Sequence, residues 1–365
     1  MKNILEYSQY RDPQVRALVW SLLSPGLVNE SGTYPACVSS QWCRQIYECI
    51  QPFLKQLDND PTELRQWLES FKSWRLGIRF EAYWAFIFEQ LQKQHELLSY
   101  AAHIQIQTQP NQSALKKTSF IKAPFLKTLG EIDFVYQDND KQLNHLEVAV
   151  KFYLLKHDEF GYERLIGPNG SDWYERKLEH LFKKQLPLSK TPEAKAKLSE
   201  QFDVEVDEIN CRHQGLIKGM IFFPVTGEGC LNDNEKKCLN PDYFTGTWGT
   251  INNWYLSDPG ELGRWVVLDK LSWLEPQVYA ESYPGLEDML YTAKEMAYKL
   301  KVHFHSTRRS VLIARLDYDE EHQLWLEQQR VMVVDKYWPV FKRSIETMVK
   351  QADDRPRDSR PKQNT

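Results

Sequence analysis

Apolar residues recur at helical intervals over roughly the first hundred positions and then change to alternation. Asp12-Pro13 opens a helix through Val15, Leu18, Val19 and Leu22, which the breaker Ser24-Pro25-Gly26 ends. A second helical stretch runs from Trp42 to Leu57 with Ile46, Ile50, Phe53 and Leu54 on its apolar side, and Pro52 argues against its continuity. Asp60 as N-cap, Pro61 at the first helical position and Glu63 three beyond the cap predict a further helix start. From Leu76 the residues Phe80, Tyr83, Trp84, Ile87, Phe88 and Leu91 make one broad apolar face.

The period then shortens to two. His103 to Gln107 reads as a short strand, and a polar loop with Lys116, Lys117 and Lys122 follows it. Gly130 to Leu155, GEIDFVYQDNDKQLNHLEVAVKFYLL, reads as two strands joined by a polar turn. Alternation places Glu131, Asp133 and Val135 on one face of the first strand and Ile132, Phe134 and Tyr136 on the other. On the second strand Glu147, Ala149, Lys151 and Tyr153 lie together, opposite Val148, Val150, Phe152 and Leu154. Gly167-Pro168-Asn169-Gly170 is a strong turn, after which Ser171 or Asp172 can cap a helix. Its apolar stripe is Tyr174, Leu178, Leu181, Phe182 and Gln185/Leu186, beside a polar stripe of Lys177, His180 and Lys184.

Lys190 to Asn210 reads as a loop or short helix, and Ile217 to Phe223 as a buried strand. A strand, a crossover helix and another strand imply at least one parallel pairing in a mixed sheet. Beyond residue 225 the chain is richer in turns, with strands expected at Arg264 to Leu268, Ser310 to Asp317 and Arg330 to Val334 and a helix at Leu286 to Leu300. The expected class is therefore α/β, of the α+β kind, with a central mixed sheet flanked by helices. The expected divisions are a helical region at 1–74, a core at 75–225, an extension packed on that core at 226–350, and a disordered tail at 351–365. No internal repeat is evident.

Composition adds boundaries to this picture. Of the 365 residues 42% are hydrophobic and 26% charged, an ordinary globular balance with material for a large core. No run approaches the ~18 to 20 apolar residues of a membrane span, and the N-terminus has no apolar signal region, so a cytoplasmic location is expected. Six cysteines, at 37, 43, 49, 211, 230 and 238, form no C-x-x-C pair and are expected as free thiols. The net charge of -4 does not announce a nucleic-acid binder, although a local basic groove suffices for phosphate contact.

The chemistry concentrates in the hairpin. A buried-looking strand that carries Glu147 and Lys151 on one face must pair those charges or use them, because unpaired buried charge is costly. The plain alternative is an internal Glu147–Lys151 or Asp133–Lys151 ion pair, or a solvated face. If the strands pair, carboxylates and an ammonium meet on one surface, a recurrent way to hold a divalent cation against a phosphate. Glu81, at the edge of the long apolar helix, reads either as a surface glutamate or as a carboxylate delivered to that acidic face. Lys177 and Lys184 are either a solvated face or contacts to a phosphodiester backbone. His303 and His305 would share a strand face, but no further ligand accompanies them. Trp248, Trp254, Trp265 and Trp273 could stack on bases and more often would be core. The absence of G-x-x-x-x-G-K-[ST], of G-x-G-x-x-G after a strand, of G-x-S-x-G and of H-E-x-x-H disfavours nucleotide-driven, Rossmann, serine-hydrolase and zincin chemistry.

A helix bearing a glutamate (RLGIRFEAYWAFIF), then G-E-I-D on one strand and the lysine-bearing LEVAVKFYL on the next, resembles the PD-(D/E)XK phosphodiesterase superfamily. The whole chain is similar to a bacterial family of unknown function assigned to that superfamily. The resemblance implies a restriction-endonuclease-like core and a metal-dependent nuclease, with DNA the expected polymer and Mg²⁺ or Mn²⁺ the cofactor. It assigns metal binding to Asp133 and Glu81 and makes Lys151 the catalytic lysine beside Asp133; Glu147, which is not the motif acid, is expected to reach the same metal and join in catalysis, with Glu131 as a further contributor. The chain departs from the motif at Ala149, where an acid two residues before the lysine is usual; Glu147 lies about 6.6 Å further back on the same face. That departure supports a competing expectation, a catalytically inactive member kept as a nucleic-acid or protein binding module.

Overall fold

The computed structural model describes residues 4–32, 34, 36–108, 127–157, 162–257 and 263–339. Five helices come first: α1 (Ile4–Ser8), α2 (Pro13–Leu23), α3 (Ser40–Asn59), α4 (Thr62–Ser70) and α5 (Leu76–Lys93). Asp12 caps α2 through the N–H groups of Gln14 and Val15, with Pro13 in the first turn. α3 runs through Pro52 rather than stopping at it. Leu54 and Leu57 beyond the proline bury in the same core as Ile46 and Ile50 before it, and that packing outweighs the lost backbone bond. α4 begins at Thr62, with the Asp60 carboxylate accepting from both the N–H and the hydroxyl of Thr62.

The chain continues with β1 (Ser99–Gln107), β2 (Thr128–Gln137), β3 (Leu143–His157), β4 (Glu163–Ile166), α6 (Tyr174–His180), α7 (Pro192–Phe202) and β5 (Arg212–Pro224). It closes with α8 (Asp233–Cys238), β6 (Phe244–Thr250), β7 (Arg264–Leu268), β8 (Val278–Ala280), α9 (Leu286–Met289), α10 (Ala293–Ser306), β9 (Val311–Asp319) and β10 (Leu324–Val334). The strands form one mixed sheet in the order β1-β2-β3-β5-β6-β10-β9-β7, with β4 beside β3 and β8 beside β10. The fold is α/β, a central mixed sheet flanked by helices. β3 and β5 pair in parallel across the α6–α7 crossover, and β6 and β10 extend the parallel part.

Leu146, Val148, Val150, Phe152 and Leu154 of β3 pack with α2, α3 and α5 in the largest core, whereas Tyr153 and Leu155 face Tyr174, Leu178 and Leu181 on the other side. β2 does not keep strict alternation. Phe134 and Tyr136 join the core under α5, but Ile132, expected on their face, packs with Val135, Ile104 and Leu188 on the opposite side. β1 switches at the same level: Ala102 pairs with Phe134 and Ile104 with Ile132, and His103 between them has φ 53°. A left-handed residue in a strand breaks the two-residue period, which the residue pattern of β2 alone does not reveal.

Of the loop or short helix expected over Lys190 to Asn210 the helix forms, α7, capped by the Thr191 hydroxyl. Two further expectations are corrected. The helix expected over Leu286 to Leu300 is two helices, because Tyr291 between them makes backbone bonds in both directions with Trp265. His303 and His305 lie on α10, which a Thr292–Glu295 capping box starts, rather than on a strand. His303 Nε2 donates to the Arg309 carbonyl at 2.8 Å. Trp254, Trp265 and Trp273 are buried, and Trp248 is partly buried against Trp338. All six cysteines are thiols, with none in a disulfide. No helix among the described residues is long and apolar enough to cross a membrane. The basic loop with Lys116, Lys117 and Lys122 and the tail 351–365 lie outside the described residues.

Candidate functional site

Where β2 and β3 part, two carboxylates take the place of ladder bonds. β2 pairs with β3 only from Phe134↔Leu146 to Gln137↔Leu143, and β4 pairs with it only from Leu154 to His157. Between those stretches the Val148 N–H donates to Asp133 Oδ2 at 3.0 Å, and the Asp133 N–H donates to Glu147 Oε1 at 3.3 Å. The opposite edge of β3 stays paired with β5 throughout, from Asn144↔Arg212 to Leu154↔Phe222. A rigid strand with one edge opened thus carries the site. At Lys151 this support depends on Gly219, whose φ is 148° and where a Cβ would fall 1.6 Å from the Lys151 carbonyl oxygen.

Glu147 is 1% exposed, and the protein itself engages both of its oxygens. Oε1 also accepts from His145 Nε2 at 2.9 Å, and Oε2 accepts from Gln185 Nε2. The other His145 nitrogen, Nδ1, lies 3.0 Å from Ser189 Oγ. Burial lowers the His145 pKa to about 4, so the ring is neutral at physiological pH. Asp133 and Glu147 are in direct side-chain contact, and Glu81 approaches from α5 closely enough for both to act on its charge. Burial raises the pKa of each of the three carboxyls to about 7. Repulsion from Asp133 adds to the rise of Glu81, and repulsion from Glu147 adds to that of Asp133. Three acids crowded this way attract positive charge. Glu131 lies further out, exposed, with its carboxylate 3.3 Å from His103 Nδ1.

The lysines are not placed as their spacing predicts. Lys151 Nζ meets neither Glu147 nor Asp133 in an ion pair but Asp172 Oδ2, at 2.6 Å. Asp172, expected as a cap, serves the lysine instead, and α6 begins without a side-chain cap. Lys177 is the ammonium whose charge acts on both Asp133 and Glu147. Burial and the neighbouring Lys151 lower the Lys177 pKa. Gln185 joins the two halves: its Oε1 accepts from Lys177 Nζ at 3.0 Å and from His180 Nδ1 at 3.0 Å, while its amide reaches Glu147. It ends a π-helical turn, Leu181–Gln185, that prolongs α6. The wider turn shifts the helical phase, so Lys184 leaves the polar stripe and is exposed while Lys177 and His180 converge on Gln185.

His145, Gln185 and Asp172 thus belong to the site although spacing assigns them no role there. His145 had a signal, since it alternates with Glu147 on one face of β3. Asp172 and Gln185 had none, because their partners lie 21 and 38 residues away.

Among the described residues no group of three or more His, Cys, Asp or Glu is arranged to hold a metal ion. Glu147 is turned toward its protein donors. Asp133 offers Val148 only one of its oxygens, and the Glu81 carboxylate accepts no hydrogen bond among the described residues. What Asp133 and Glu81 offer there are carboxylate oxygens, the kind that hard divalent cations take.

No curated protein and no solved structure matches the chain significantly. One family profile, that of a domain of unknown function (DUF1853), matches residues 16–334. That span runs from α2 to the end of β10 and contains every residue of the site, so the chain belongs to the DUF1853 family.

Proposed function

We propose that this protein is a divalent-metal-dependent phosphodiesterase of the PD-(D/E)XK kind, acting in the cytoplasm on nucleic acid, with DNA the expected polymer. The observation that supports the reading is that Glu81, Asp133 and Glu147, from a helix and two strands, lie near enough for their charges to act on one another where β3, among the described residues, is unpaired on one edge between Leu146 and Leu154. Asp133 and Glu81 would hold Mg²⁺ or Mn²⁺, and Glu147 would join them by exchanging a protein donor for the cation. When bound, the metal supplies polarisation of the phosphate and a lowered pKa for water. Lys151, held ready by Asp172, places an ammonium where negative charge develops in the transition state. Lys177 sets a second positive charge beside the acids.

A second reading is a binding module without catalysis. Ala149 at the usual acid position and the full engagement of Glu147 by His145, Gln185 and the Asp133 N–H favour it. Incubation of the protein with labelled DNA and RNA in Mg²⁺ or Mn²⁺ separates the two. The nuclease reading predicts cleavage that Asp133→Ala and Lys151→Ala each reduce at least ~100-fold, the scale of losing one electrostatic contribution to the transition state. Cleavage unchanged in both variants would refute the site. No cleavage together with retained binding would establish the module.

A further inference from the structure

Between α3, α5 and the sheet lies a cavity of about 570 Å³, a volume typical of small-molecule sites. It sits at the closed end of the hairpin, where Tyr136 pairs with Asn144, and none of the acids or lysines of the candidate site lines it. The buried Ile46, Leu91 and Leu97 and the rings of Trp42 and Phe88 form its apolar walls. We propose that this cavity binds a small monocarboxylate with an apolar body.

Two polar groups on the lining have no partner of their own. Tyr136 is only 9% exposed, yet its hydroxyl makes no hydrogen bond among the described residues and is not sealed from the cavity. A hydroxyl in such a place costs stability until something bonds to it. Arg212, the first residue of β5, is exposed, and its guanidinium makes neither an ion pair nor a hydrogen bond among the described residues. The two lie close together: burial and then Asp138 raise the Tyr136 pKa, and the Arg212 charge pulls it down. The acids on the lining do not supply the missing partner. Asp138 accepts from the N–H groups of Asp140 and Gln142 and from the Asn144 amide, at 3.1, 2.9 and 3.1 Å, and Glu96 stands beside the Cys49 thiol. A guanidinium and a hydroxyl, both donors, match the two oxygens of a carboxylate. The apolar walls take the rest of such a molecule out of water. A dianionic phosphate would face Asp138 and Glu96 with Arg212 as the only permanent cation among the lining residues, so the balance favours a single negative charge. This inference is independent of the reading of the candidate site.

The test is titration of the full chain near pH 7, followed by ligand-observed NMR, with 3-phenylpropionate, with 3-phenylpropanol as its uncharged counterpart and with phenyl phosphate as a dianion. The wild type should bind the carboxylate at least ~10-fold more tightly than either, the scale of a hydrogen bond to a charged group. Arg212→Ala and Tyr136→Phe should each weaken carboxylate binding at least ~10-fold, and Arg212→Ala should leave binding of the alcohol unchanged. Asp133→Ala, in the candidate site, should bind the carboxylate like the wild type. Neither Arg212 nor Tyr136 has a hydrogen-bond partner to lose, and unchanged melting temperatures confirm folding. No binding of the carboxylate, equal binding of carboxylate and alcohol by the wild type, tighter binding of phenyl phosphate, or wild-type carboxylate affinity in either cavity variant would each overturn the assignment.

Discussion

Asp133 and Glu147 touch within the sheet, and burial keeps both carboxyls up to about 7. A carboxyl whose folded pKa exceeds its unfolded value holds a proton that the unfolded chain has already released. Its contribution to stability is therefore lost as pH rises from the ordinary carboxylate range, near 4, through the folded value. The metal-free protein should lose stability between about pH 5 and pH 8. Asp133→Asn should flatten that slope and be the more stable protein at the alkaline end by on the order of 1 to 2 kcal/mol, about one pKa unit of relieved repulsion. Urea unfolding at both ends of the range reads the difference, and parallel profiles would mean that Glu147 does not repel Asp133. His145 works in the opposite sense: its folded pKa of about 4 lies below the unfolded value near 6.5, so it adds stability as pH rises toward 6.5 and offsets part of the carboxyls' loss below that pH.

At the scale of elements, β3 is the part most legible in the residues. Its alternation shows at once which side chains face α5 and which face α6, because both sides are packed and a slip by one residue would expose a core. β2 was harder to read, since its face switch belongs to the left-handed His103 on the neighbouring strand. The α6 stripe was legible until the π turn, whose extra residue leaves no mark in an apolar pattern and yet moves Lys184 away and brings Gln185 in. Lys151 was legible as a charge in need of a partner. That the partner is Asp172 depended on a turn whose path spacing cannot predict. The glycine of LIKGMIFF is the point where β5 permits the strand that carries the lysine. Gly219→Ala should cost ~3 kcal/mol or more through backbone strain and contact with the Lys151 carbonyl. Thermal unfolding measures it, and a variant as stable as the wild type would contradict the close approach.

Across the whole molecule, buried arginines join the two ends of the chain. Arg16 on α2 donates to the Pro276 carbonyl at 2.9 Å, and Arg330 on β10 donates to Glu327 Oε1 at 2.8 Å and to the Glu275 carbonyl at 2.6 Å. Both guanidiniums are almost fully buried, and the sheet passes from β5 into β6 and β10 without a break. Calorimetry should therefore record one unfolding transition. Arg330→Met, which strands Glu327 in the core, should lower the stability of the whole by about 3 to 5 kcal/mol. Two separated transitions, with only one shifted by the variant, would contradict this coupling. The same frame holds α5 against β3 and so brings Glu81 to Asp133, which makes cation binding a property of the assembled fold. The most direct test is titration of Mn²⁺ into the full chain near pH 6.5 by calorimetry in two buffers of different ionisation enthalpy. Carboxyls with pKa values of about 7 are largely protonated there, so binding should release on the order of one proton per metal ion. Asp133→Asn and Glu81→Gln should each weaken binding at least ~10-fold, the loss of one charged ligand. Binding without proton release, or with equal affinity in both variants, would contradict the convergence of these acids on a metal.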